Sequence, residues 1–192
     1  MNIQSLNLSK LLVTTLFLLF GLMVTKPASL ETLADIPVQV VKAVDPKQLA
    51  CLAKNIYHEA GHESVNGQAA VAWVVMNRVR HGFGSTPCNV VFQATNVERE
   101  TESGTIEKIK LCQFSWVCEG KTDPNKQSAR YKQAEQIAYD VMVHKAYSNI
   151  LPGTALFFHN MAVNPMWPYR QVARIGNHIF YSNAKKPDNS KK

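Results

Sequence analysis

The chain has 192 residues, of which 46% are hydrophobic, and carries a formal net charge of +7. That content supports one domain of about 140 residues with its own core and excludes a second full domain. The positive balance points to an anionic polymer as partner, either nucleic acid or a carboxylate-bearing surface.

Residues 1–26 read as a targeting segment: Lys10 ends a short polar region, and Leu11 to Val24 run almost without a polar break. The apolar span is short for a bilayer crossing. Small residues are poorly placed for signal peptidase, since Lys26-Pro27-Ala28 fails at its first position and Thr32-Leu33-Ala34 lies well past the apolar run. Export with cleavage and retention as an N-terminal anchor at the inner membrane are both open, with residues 27–45 as a linker. Only Lys10 and Lys26 lie in the leader, so the exported part stays basic. Outside the cytoplasm, periplasmic or associated with the cell wall, the expected polymer is the wall and not nucleic acid.

Four cysteines behind such a leader, Cys51, Cys88, Cys112 and Cys118, favour disulfides. Three pairings are formally open. Cys112 with Cys118 closes a short loop and leaves Cys51 with Cys88. This arrangement is preferred to a four-thiolate zinc site, because no C-x-x-C occurs, and to unpaired buried thiols.

A domain over residues 46–183 begins with a helix capped near Asp45, with Pro46 in its first turn, running to Ala60 or to a left-handed Gly61. Leu49, Leu52, Ala53, Ile56 and Ala60 form its apolar stripe, and Glu59 projects from that same inward face. A glutamate there is unusual. Ser64 or Asn66 caps a second helix, Gly67 to Arg80, whose run Ala69 to Met76 is apolar on every side and marks a buried central helix. Residues 81–123 read as a long irregular region with short helical turns. Asp123-Pro124 starts a further helix through about Tyr147, with Ala134, Ile137, Ala138, Val141 and Met142 on one side. Three strands follow: Ala155 to His159, then Gln171 to Ile175 and His178 to Tyr181 around a Gly176-Asn177 hairpin turn. Residues 184–192 are a basic, solvated tail.

His58-Glu59-Ala60-Gly61-His62 allows two active sites. As H-E-x-x-H on a helix it would bind zinc through two imidazoles, with Glu59 activating a water as in a metallopeptidase. Zinc needs a third ligand. The extended motif fails, since Val65 stands where glycine should be and Gln68 where the third histidine should be. In the other reading Glu59 is a lone carboxyl acid at a helix end. Desolvation by Leu52, Ile56 and the second helix, aided by the negative end of the helix dipole, would keep it protonated for donation to a glycosidic oxygen.

The second reading draws on more of the chain. Cys51-Leu52-Ala53-Lys54-Asn55-Ile56-Tyr57-His58-Glu59-Ala60, Glu63-Ser64, Gly67-Gln68-Ala69-Ala70-Val71-Ala72, Val75-Met76-Asn77-Arg78-Val79, Cys88-Asn89-Val90-Val91-Phe92, Cys112-Gln113-Phe114-Ser115-Trp116, Ala155-Leu156-Phe157-Phe158-His159 and Ile175-Gly176-Asn177-His178-Ile179-Phe180-Tyr181 occur in that order. Over residues 48–181 the chain resembles the SleB-type, spore cortex-lytic cell wall hydrolases. It departs where that family usually reads Glu-Ala-Arg-Gly-Glu, having Gly61-His62 in place of Arg-Gly. The resemblance implies an α+β fold, a lysozyme-like helical core with a small C-terminal antiparallel sheet. It also implies cleavage of the peptidoglycan glycan strand with Glu59 as acid and no cofactor.

Glu63 is the nearest candidate for a second catalytic carboxylate; its alternative role is to brace Arg78 or cap the second helix. With Glu63 as base or nucleophile the enzyme hydrolyses the glycan as a glucosaminidase or muramidase would. With Glu59 alone it is a lytic transglycosylase, the outcome the resemblance favours. Gln113, Phe114, Ser115 and Trp116 match a family segment lining the cleft. Gln68, Asn77, His159 and His178 complete the substrate-binding candidates, with Asn77, His159 and His178 each weighed against a structural role. Trp167 between prolines is either a sugar platform or, the safer reading, a loop plug. An N-acetylmuramoyl-L-alanine amidase and a wall-binding module without activity are the alternatives. The expected form is a monomer that binds peptidoglycan and no metal.

Overall fold

The computed structural model of the chain describes residues 43–185. The expected leader, all but the last residues of the linker, and most of the basic tail lie outside the described residues. Helix α1 spans Pro46–Ala60, capped by Asp45, whose side chain accepts from the Lys47 amide at 2.8 Å. Gly61 after it has φ −63° and ψ −12°, right-handed, where the sequence suggested a left-handed cap. Its missing side chain matters for space: a Cβ would overlap the Tyr57 carbonyl oxygen and lie 3.1 Å from Cδ of Arg130.

Ser64 caps α2, Val65–Arg80, through a 3.3 Å bond from the Gly67 amide. As the apolar run predicts, α2 is enclosed on every side: Ala69, Ala70, Val71, Ala72 and Val75 are fully buried. Around it stand α1, the short α3 (Pro87–Val91), α5 (Ala129–Tyr139) and strand β3 (Ala155–Asn160). The Cys51–Cys88 disulfide ties α1 to α3, and Cys112–Cys118 closes the short loop, the preferred pairing.

Residues 81–123 hold more order than their composition predicts. Besides α3 and a four-residue helix α4, Ser115–Cys118, they form an antiparallel hairpin of β1 (Ala94–Glu100) and β2 (Ile106–Cys112). Both strands are largely exposed and so carry charges on both faces, Arg99 facing Glu107 and Glu98 facing Lys108, which hides the apolar alternation of a half-buried strand. The helix expected from Asp123 starts only at Ala129. Ser128 is the cap, accepting from the Tyr131 amide, and Asp140–His144 continues it as a π-helical turn.

β3, β4 (Tyr169–Ile175) and β5 (His178–Lys185) form a sheet in the order β3-β5-β4, with register shifts in both ladders. The predicted Gly176-Asn177 turn joins β4 to β5 with Gly176 at φ +57°. Glu63, between α1 and α2, clamps this turn: the Asn177 amide donates to Oε2 at 3.3 Å and Asn177 Nδ2 to Oε1 at 3.0 Å. The carboxylate lies so close that a Cβ on residue 176 would overlap Oε2. Gly176→Ala is therefore expected to destabilise the protein by about 1–3 kcal/mol in urea unfolding. The cost should be smaller in a Glu63→Ala background, where only the backbone strain remains. Equal costs in both backgrounds would rule out the clamp.

Candidate active site

Glu59 stands in the last turn of α1, beside the buried Ala60. Its carboxyl opens into a cleft of about 510 Å³. Val74 of α2 forms part of the lining; Gln113, Phe114 and Ser115 come from the end of β2 and the start of α4. Leu156, Phe157, Phe158 and His159 of β3 and Val163, Pro165 and Trp167 of the β3–β4 loop close the other side. β3 changes register against β5 between Ala155 and Phe157, beside this stretch.

Among these lining residues Glu59 is the only carboxyl group, and among the described residues it has no hydrogen-bond partner. Burial pushes its pKa from 4.5 up to about 7; Lys121 opposes that rise and Glu119 adds to it. Desolvation thus shifts the carboxyl toward its protonated form, as the inward-facing position on α1 implies.

The wall opposite is aromatic. His159 Nε2 lies 2.9 Å from the Tyr181 hydroxyl and Nδ1 2.9 Å from the Asn160 carbonyl oxygen. Its ring stacks on Tyr181 and meets Trp167 edge-on, with centroids 5.3 and 5.5 Å away. Trp167 also contacts Phe157 and Tyr169 at 6.2 Å each. The tryptophan read from sequence as a loop plug therefore belongs to the cleft wall. Phe157 joins it from β3, and Tyr181 of β5 backs the wall through His159 and Trp167. Phe157 stands in the apolar run Ala155 to Phe158, which gave no hint of which residues would face the cleft.

Gln113 is set by a residue that the sequence did not single out for the site. The Arg78 guanidinium, 2% exposed near the end of α2, donates to the Leu156 carbonyl oxygen at 3.1 Å, to Gln93 Oε1 at 3.3 Å and to Gln113 Oε1. It lies 4.5 Å over the Phe83 ring, and its burial lowers its pKa to about 10. An arginine at the end of an apolar helix reads as a solvated end, and only its neighbours reveal otherwise.

Five of the sequence candidates lie outside this cleft, each for a physical reason. Glu63 is engaged on the hairpin turn, not on Arg78. Gln68, 1% exposed, donates to the Glu63 carbonyl oxygen at 3.0 Å, and Asn77, equally buried, donates to the Pro152 and Ala155 carbonyls at 3.2 and 3.0 Å. Both amides are inside the fold because backbone carbonyls there require donors. His178 is 3% exposed, 4.0 Å from Glu63, and burial lowers its pKa against the opposing pull of that carboxylate. Trp116 is buried behind the cleft, donating to Asn55 Oδ1 at 3.1 Å and stacking on His58 at 4.4 Å.

The zinc reading loses its geometry. α1 ends at Ala60, so His62 falls outside the helix that would place it one turn from His58. Arg130 directs its guanidinium to His62 Nε2 at 2.6 Å and onto the Tyr57 ring and hydroxyl, bringing a cation where a metal ion would have to bind. His58, packed on Trp116, has its pKa lowered chiefly by burial, then by Lys121 and Arg130. Arg130 also fills the space that Gly61 leaves open.

The chain is similar to known proteins in sequence and in fold. The catalytic domain of SleB from Bacillus cereus matches with a TM-score of 0.50 and 22% identity, over 73% of this chain and 94% of that one. The catalytic domain of the germination-specific lytic transglycosylase SleB from Bacillus anthracis matches with a TM-score of 0.48 and 25% identity, over 73% of this chain and 98% of that one. The first likeness supports the mixed α+β fold. No curated protein matches significantly. The model of the cell wall hydrolase family matches residues 62–181, beginning three positions after Glu59, so on the greater part of its length the chain belongs to the cell wall hydrolases.

Proposed function

We propose that the chain cleaves the glycan strand of peptidoglycan as a lytic transglycosylase, with Glu59 as acid and then base. The observation that carries this reading is a cleft holding one carboxyl group, whose pKa of about 7 leaves a large share of it protonated near neutrality, where an ordinary glutamate is ionised. Ordinary retaining or inverting hydrolysis uses two carboxyls flanking the scissile bond. Glu63, the nearest second candidate, spends both oxygens on Asn177.

Glu59 gives its proton to the glycosidic oxygen as the bond from that oxygen to the anomeric carbon breaks. The muramic acid 6-hydroxyl attacks the same carbon and returns its proton to the Glu59 carboxylate. The product is a 1,6-anhydro ring, no water is consumed, and the acid is restored. Phe114, Phe157 and Trp167 offer apolar faces to sugar rings, and Gln113, Ser115 and His159 offer polar groups to their substituents. Glu63 is a positioning residue, holding the β4–β5 turn and with it the strand that carries Tyr181. Two disulfides and a basic chain support an enzyme working outside the cytoplasm, with residues 1–26 as its leader or anchor.

Glu59→Gln should lower the rate of peptidoglycan digestion by about 10²–10⁴-fold. Mass spectrometry of the parent's products should find muropeptides ending in anhydro-muramic acid, whether or not a zinc chelator is present. Hydrated reducing ends would replace this mechanism with hydrolysis, and free stem peptides on intact glycan would mean an amidase. For the parent enzyme, kcat/KM should fall as pH rises through about 7, where Glu59 loses its proton.

The same group sets a stability trend. A carboxyl whose folded pKa is raised from 4.5 to about 7 holds a proton that the unfolded chain has released in that window. Its favourable contribution is complete below 4.5 and is lost as pH rises through 7. Urea unfolding should therefore find Glu59→Gln more stable than the parent at pH 8, by on the order of 1–3 kcal/mol, and about equal to it at pH 4. A variant no more stable at pH 8 would contradict the buried, protonated acid.

A further inference from the structure

A second cleft, of about 440 Å³, lies beside the first and shares Gln113 and Phe157 with it. Its other lining residues include Arg78, Gln93, Thr95 and Tyr169, and no aspartate or glutamate is among them. Its wall is flat and apolar, with Phe157 and Tyr169 stacked at 4.5 Å and 4° between planes.

The two side-chain amides of this cleft are turned one way by a single buried cation. Arginine has only donors, so the amides that meet it must present their oxygens. Gln93 and Gln113 do so, and each side-chain NH2 is left pointing away from the guanidinium. Among the described residues neither NH2 donates within the protein, and no carboxylate lies within ion-pair distance of Arg78. The carbonyl and the neutral amides take bonds from both terminal nitrogens of the guanidinium without cancelling its charge, and Nε stays buried without a partner. The cleft thus combines two outward-facing amide donors, the hydroxyl of exposed Thr95 and an uncompensated positive charge behind them. Hydrogen bonds from such polarised donors favour an ionised acceptor.

We infer that this second cleft binds a carboxylate of the peptide stem on the muramic acid residue whose glycan is held in the first cleft. The inference rests on the peptidoglycan reading above. The stem branches from the sugar, so a site adjoining the Glu59 cleft and separated from it by Gln113 and Phe157 is placed to receive it. The Phe157 and Tyr169 rings would cover the aliphatic part of the peptide.

The test is equilibrium binding to Glu59→Gln, which removes turnover. The probes are a soluble peptidoglycan tetrasaccharide with carboxylate-bearing tripeptide stems, the same compound with its stem carboxyls converted to carboxamides, and chitotetraose. The carboxylate form is expected to bind at least about tenfold more tightly than the carboxamide form. Adding Gln93→Glu or Thr95→Glu, which sets a negative charge among the donors, should reduce that preference to within about twofold. Thr95 is exposed, so its variant reads the site even if the Gln93 substitution disturbs folding, which a thermal melt reports. Equal binding of the two stem forms, or a preference that survives both substitutions, overturns the assignment. So does tighter binding of chitotetraose, which would give the cleft to sugar. None of these outcomes depends on the products of cleavage, so a different bond specificity and a failure of the stem site are told apart.

Discussion

Enclosure of α2 on every side is the constraint from which the rest of the structure follows. A helix apolar around its whole circumference cannot face solvent on any side, so neighbours must surround it. α1, α3, α5 and β3 do so, and Leu52, Ile56, Val90, Tyr131 and Ala155 are among the buried residues they contribute. The burial of Glu59 is one result. The stripe that buries α1 against this core includes the position of Glu59, so the packing that drives folding also desolvates the carboxyl.

The few polar groups on α2 and at its start decide how the irregular segments attach. Asn77 holds the approach to β3 by two carbonyls, Arg78 holds β3 at Leu156 together with the two ends of the β1–β2 hairpin, and Gln68 holds the backbone at Glu63. Each would be costly to bury alone, and each is accommodated by main-chain or amide acceptors that otherwise lack donors. Cleft walls from three distant stretches of sequence are therefore hung from one helix. That is why residues read from sequence as substrate contacts, Gln68 and Asn77 in particular, are fasteners of the cleft instead.

What was legible in the sequence follows the same physics. Where burial is one-sided or complete, the pattern is plain, and α1, α2, the 112–118 disulfide loop and the Gly176 turn could all be read from it. Where a segment lies mostly in solvent, as β1 and β2 do, no apolar period exists to read, and cross-strand charge pairs appear only once the register is known. The start of α5 was displaced because Asp123-Pro124 has the chemistry of a helix start, yet Asp123 pairs with Lys54 at 2.6 Å and leaves the capping to Ser128. Glu59 was legible from its face on α1. The assignment of Trp116 to the core and Trp167 to the cleft was not, since both are aromatic residues in loop-rich segments and only their partners distinguish them.

The choice of neutral partners for Arg78 bears on the acid as well. Had Glu63 paired with Arg78, a second carboxylate would stand beneath the cleft, and two carboxyls near one scissile bond would open a hydrolytic route. Glu63 instead serves the hairpin turn, where Gly176 leaves room for its oxygens and for nothing larger than hydrogen. Arg78 bonds to amides and a carbonyl through its two terminal nitrogens, and it is not among the charges that shift Glu59, whose pKa is governed by burial first. The two clefts therefore divide their electrostatics. One holds a neutral acid suited to proton transfer, and the other a positive charge suited to binding. Because they share the wall of Gln113 and Phe157, the branched anionic polymer of the proposed function would meet both at once, with its scissile bond beside Glu59 and its charge kept away from it.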